Sequence, residues 1–122
     1  MTIIYIALGG AIGAIARHFM SGFIIHHIGD KLPLGTIFVN ITGCFLIGFL
    51  GALAGRYNMS AEARSFVFVG FISAFTTFST YSLETYNLFR SGQMGYAAVN
   101  FALSNVAGVA AVFLGVLISR CV

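Results

Sequence analysis

Four long apolar stretches separated by short polar connections set the plan of this chain, at about residues 3–25, 33–55, 65–89 and 95–118. Each is close to the ~20 residues that a helix needs to cross hydrocarbon. The pattern predicts an all-α integral membrane protein in which residues 1–122 form one four-span domain. Gly9, Gly10 and Gly13, with Ala14 four residues after Gly10, give the first span a small-residue face. Such a face lets another helix approach closely, because lipid supplies no hydrophobic drive between helices. The connection that follows holds His26, His27, Asp30 and Lys31, and both histidines read as loop residues. Pro33 opens the second span at a first-turn position, where its missing N–H removes no helical bond. Gly43, Gly48, Gly51 and Gly55 keep that helix slim, and Ser60 with Glu62 and Ala63 marks a weak helix start before the third. In the fourth span Asn100, Ser104 and Gly108 share one face, a short polar line that ends at the glycine.

The third stretch departs from the apolar rule. Its centre, SAFTTFSTYSLE from Ser73 to Glu84, carries Ser73, Thr76, Thr77, Ser79, Thr80, Ser82 and the acid Glu84. Polar groups and helix breaks are tolerated at membrane depth only where they face protein or a cavity. This run therefore points inward, to something that passes or binds there.

Composition agrees with the pattern: of 122 residues 59% are hydrophobic and 7% charged, which leaves no room for an extramembrane catalytic domain and excludes a soluble enzyme. Six cations and three anions are scattered singly, so nothing indicates nucleic acid. Cys44 and Cys121 are too few for a disulfide framework or a metal site. Four crossings put Arg56, Arg64 and Arg120 on one side, against Lys31 and Arg90 on the other, joined by Arg17 if it snorkels that way. Cations are thus almost balanced, and the positive-inside rule sets no orientation. Insertion in both orientations, followed by antiparallel dimerisation, is the hypothesis this raises.

Several polar side chains have two readings each. Arg17 is either a snorkelling residue at the end of the first span or a cation that concentrates anions at the mouth of a vestibule. Asn40 is either an interhelical hydrogen bond or a donor to a passing anion. Glu84 is a helix-end residue, a partner for Arg17 or a group at the end of a pore. Phe78 and Tyr81, three apart among hydroxyls, are packing residues or a face of ring edges, which carry the positive part of the aromatic quadrupole. Such edges and neutral donors can hold a small hard anion without the full cation that would bind it too firmly for release.

Four blocks, GGAIGAIAR at 9–17, PLGTIFVNITGCFLIG at 33–48, TTFSTYSLET at 76–85 and SNVAG at 104–108, together make the chain resemble the small fluoride-channel family called Fluc or CrcB. The resemblance implies a multi-pass protein of the bacterial plasma (inner) membrane, with four-span subunits of dual topology, a third helix broken near its centre, and antiparallel dimers enclosing two fluoride-selective pores. It implies Asn40, Phe78, Tyr81 and Ser104 as pore residues, with Thr36 and Thr77 as further donors, Arg17 in the vestibule and Glu84 as the acid after the third-span motif. It also implies a structural sodium ion at the dimer interface, held by the backbone carbonyls of Ser73 and Thr76; a hard cation prefers such oxygens.

The chain departs from the family pattern at three points. Ser73 and Ala74 stand where a glycine pair is usual, Tyr81 replaces a phenylalanine, and Gly108 shortens the polar line. Some relatives pair two different subunits, one with degenerate pore positions, so the partner is a second copy or a paralogue. Two alternatives stand beside the passive fluoride channel. One is a degenerate, non-conducting subunit. The other is a small proton-coupled multidrug exporter, which calls for an acid in the first span where this chain has none.

Overall fold

The computed structural model describes residues 1–122 and is helical, with no strand. Helix α1 spans Thr2–Ile28 and α2 spans Leu34–Arg56. The third crossing, Ala61–Arg90, is composite. It enters as α3 (Ala61–Arg64), continues through a π-wound segment, Ser65–Ile72, and one turn, α4 (Ser73–Phe75), then stops at Thr76 and Thr77 before resuming as α5 (Phe78–Arg90). Helix α6 spans Met94–Ser119. Four segments are thus long and apolar enough to cross a membrane.

The helix ends run past the apolar stretches for local reasons. The Ser60 hydroxyl accepts from the Ala63 N–H at 3.2 Å, an N-cap that starts the third crossing four residues ahead of its apolar run. Helix α1 continues to Ile28, so His26 and His27 lie in its last turn and not in a loop. Pro33 precedes α2 as its cap, its carbonyl accepting from the Ile37 N–H at 3.1 Å. Gly92, at φ 81, turns the chain between α5 and α6 in a conformation that a side chain would strain.

Glycines decide how closely the spans meet. Helix α2 packs chiefly on α6, where Gly48 abuts the backbone of Val112 and Gly115 that of Phe45 and Phe49. On the other side α1 packs on the π-wound segment, with Gly9 against the Phe66 carbonyl and Gly13 against that of Phe71. A Cβ at any of these four positions would collide with main chain. Close backbone approach of this kind is what holds helices together in lipid. Two arginines finish the helix ends: Arg56 donates to the Ser119 carbonyl, and Arg64 to the Ala54 carbonyl at 2.9 Å. Those oxygens lie in the last turns of α6 and α2, where carbonyls lack intrahelical donors and the dipole favours cations.

Only 19 of 122 residues are buried, while Phe19, Phe23, Val106 and Phe113 are among many large apolar residues left outside. Water would not tolerate that surface; lipid or a second subunit does. The interruption in the third crossing needs no glycine. Thr76 (φ −83, ψ 156) and Thr77 (φ −148, ψ 108) are in the extended region open to any residue, and Ser73 (φ −63, ψ −35) is ordinary helix. Ser73 and Ala74 therefore impose no backbone strain in place of the family's glycine pair.

Candidate functional site

The interruption is held by a single side chain from α2. Asn40 Oδ1 accepts from the Thr77 N–H at 2.8 Å, and Asn40 Nδ2 donates to the Thr77 carbonyl at 3.1 Å. This reciprocal pair fixes which way the amide points, since a main-chain N–H only donates and a carbonyl only accepts. It also leaves one Nδ2 hydrogen unspent. Thr77 then caps α5, its Oγ1 accepting from the Thr80 N–H at 3.3 Å. Asn40 is thus an interhelical bond, with one amide hydrogen left over.

These bonds also free two carbonyls. In a continuous helix the Thr77 N–H would go to the Ser73 oxygen and the Thr80 N–H to the Thr76 oxygen. Both donors are diverted, one to Asn40 and one to Thr77 Oγ1. Ser73 is exposed and its hydroxyl is turned away, donating to the Phe68 carbonyl at 2.9 Å. Neutral main-chain oxygens of this kind suit a hard monovalent cation. No cluster of three or more His, Cys, Asp or Glu side chains offers a site to a transition metal.

Around the interruption lies a groove of about 290 Å³, lined by Asn40, Thr76, Thr77, Phe78, Tyr81 and Ser104 among others. Four pore residues expected from the sequence, Asn40, Phe78, Tyr81 and Ser104, therefore meet in one place. The Phe78 and Tyr81 rings are 5.5 Å apart at an interplanar angle of 54°. They differ in burial: Tyr81 is 7% exposed, whereas Phe78 is 78% exposed and stands open to whatever lies beside this subunit. No charged side chain lines the groove. What it offers an anion is the Asn40 amide, hydroxyls, ring edges and the first turn of α5, whose dipole is positive at that end.

A second groove, of about 390 Å³, lies on the other side of Thr77, which borders both. Arg17, His18, Ser21, Thr36 and Thr80 are among its lining residues. Arg17 is only half-buried there. Thr36 does not present a free proton, because its hydroxyl donates to Glu84 Oε1 at 2.8 Å. Glu84 Oε2 is buried without a hydrogen-bond partner, so the acid is joined to α2 and not to Arg17.

Two interactions across α5 and α6 were not legible from residue types. Asn100, 1% exposed, donates to Thr85 Oγ1 at 2.8 Å, and Thr85 in turn donates to the Tyr81 carbonyl at 2.8 Å. Asn105 donates to Tyr81 Oη at 3.0 Å and to the Phe101 carbonyl at 2.8 Å. The available signal was two amides within five residues of each other on a membrane helix, since a polar side chain at that depth needs a partner. Ser104 donates to Asn100 Oδ1 at 3.4 Å, a long bond, so the polar line along α6 is real but short.

The family described as CrcB-like protein, Camphor Resistance (CrcB), matches residues 4–116 of this chain. A Desulforapulum autotrophicum protein named fluoride-specific ion channel FluC is 45% identical over 98% of this chain and 96% of its own length. Proteins of the same name from Methylococcus capsulatus and Opitutus terrae are 46% and 45% identical, over 98% and 92% of this chain and 53% and 87% of their own lengths. With a family match over nearly all its residues and relatives this similar, the chain belongs to the CrcB family.

Proposed function

We propose that this protein is a fluoride-selective passive channel of the bacterial plasma membrane, which lets fluoride leave the cytoplasm down its gradient. The observation that carries the reading is the uncharged groove at the interruption, where Asn40, Phe78, Tyr81 and Ser104 converge. Fluoride entering it exchanges hydration water for aligned weak donors: the free Asn40 N–H, hydroxyls and ring edges. Because none of these is a full cation, the ion is stabilised enough to enter and weakly enough to leave. Arg17, in the adjoining groove, raises the anion concentration at the entrance. Thr77, common to both grooves, lies where the ion passes from one to the other. Relatives that bear the name fluoride-specific ion channel and match nearly the whole chain support the same ion.

The working unit is an antiparallel homodimer with two pores. The balanced cations and the exposed Phe78 support this, because a ring 78% open on one subunit is available to close a pore wall with a second. A structural sodium ion would be held by the Ser73 and Thr76 carbonyls, where it supplies the positive charge that two unpartnered oxygens lack. The two diverted N–H donors support that site.

The test is efflux from liposomes holding only this purified chain. Fast fluoride release with no matching chloride release is expected. Equal release of both halides, or of neither, overturns the proposal, and release of neither would leave the non-conducting subunit as the better reading.

A further inference from the structure

Tyr81 brings a phenolic hydroxyl to a groove whose other polar groups are two amides and aliphatic hydroxyls, set beside Phe78, Cys44, Ile47 and Ile72, and its neighbours show where its proton does not point. Asn105 Nδ2 lies 2.8 Å from the Phe101 carbonyl, which can only accept. The nitrogen and not the oxygen of that amide must therefore face this way. The same nitrogen is 3.0 Å from Tyr81 Oη, so one amide hydrogen goes to the carbonyl and the other to the phenol. Tyr81 is thereby an acceptor toward α6, and its own O–H hydrogen points elsewhere. Tyr81 is 7% exposed, and with Asn105 it lines the groove that contains Asn40, Phe78 and Ser104. A phenol that already accepts a hydrogen bond is also a stronger donor, because successive bonds polarise one another.

We infer that Tyr81 Oη donates directly to the permeating anion and that Asn105 is the positioning residue that turns its proton toward the groove. The inference rests on the channel reading above and adds a specificity element to it. A phenolic donor favours the anion with the most concentrated charge, fluoride over chloride, more than a ring edge alone would. The main chain around Tyr81 is held independently, by Thr85 on its carbonyl and Asn100 behind Thr85, so the hydroxyl can be removed without releasing the ring.

Fluoride and chloride efflux from liposomes is compared among the unsubstituted protein, Tyr81→Phe, Asn105→Leu and the double variant. Each single substitution should slow fluoride release about three- to tenfold, the size of one hydrogen bond, and lower the fluoride-to-chloride ratio. The double variant should be no slower than Tyr81→Phe. A purely structural Asn105 would slow both backgrounds alike, and that result, or unchanged release in Tyr81→Phe, overturns the inference. A second measurement does not need conduction: fluoride added to the detergent-solubilised protein should red-shift part of the tyrosine absorbance. The shift should vanish in Tyr81→Phe; its absence from the unsubstituted protein, or its persistence in the variant, counts against the inference. Unsubstituted protein that passes no fluoride overturns the channel reading itself, and this inference falls with it.

Discussion

At the scale of single residues, Asn40 and Phe78 are predicted to fail in different ways. Asn40 satisfies both main-chain groups of Thr77, so Asn40→Ala leaves a donor and an acceptor unpaired at membrane depth. Each such group costs about 1–3 kcal/mol, so this variant should lose stability as well as flux, read as a lower unfolding midpoint in detergent. Phe78 is 78% exposed on the subunit and packs against little within it. Phe78→Ile should therefore leave the fold of the subunit unchanged, seen as an unaltered unfolding midpoint in detergent, while fluoride efflux falls; unaltered efflux would remove Phe78 from the pathway. The family resemblance made both pore residues, yet one organises the backbone and the other mainly presents a ring.

At the scale of elements, glycine contacts set helix spacing and thereby the width of the groove. Gly48 and Gly115 bring α2 and α6 to main-chain contact, and the groove lies between α2, the interruption and α6. Gly48→Leu must force the helices apart, at a cost of about 1–3 kcal/mol for overpacking, with loss of fluoride efflux because Ser104 moves away from Asn40. Wild-type efflux from this variant would show that the spacing is irrelevant to conduction. Much of this level was legible: four apolar runs gave four spans, and the hydroxyl run around Thr77 marked an inward-facing stretch, while a break there was expected only from the family resemblance. The rest was not, for physical reasons. The third crossing starts at Ala61 through a Ser60 cap that hydropathy does not register. Winding of Ser65–Ile72 as π-helix is a backbone property, seen only where the segment meets Gly9 and Gly13 of α1. The pairs Thr36–Glu84, Thr85–Asn100 and Tyr81–Asn105 join residues 48, 15 and 24 positions apart, and no local spacing rule reaches across such separations.

At the scale of the whole molecule, orientation is the open physical variable, and the chain carries its own probe. The cations that remain outside the bilayer core are nearly balanced between the two faces, so neither orientation is favoured by the potential that acts on lysine and arginine. Closing a pore against a second copy in the opposite orientation then requires both orientations in one membrane. Cys121 is free and exposed at the C-terminus, two residues past the end of α6, whereas Cys44 is half-buried within α2. With Cys44→Ser to silence the second thiol, a membrane-impermeant maleimide should label about half of the chains in intact spheroplasts, as equal insertion requires, and the remainder only after permeabilisation. Labelling of all chains, or of none, before permeabilisation would mean a single orientation. The proposed antiparallel pair would then be excluded, and Phe78 would have to meet a subunit of the same orientation.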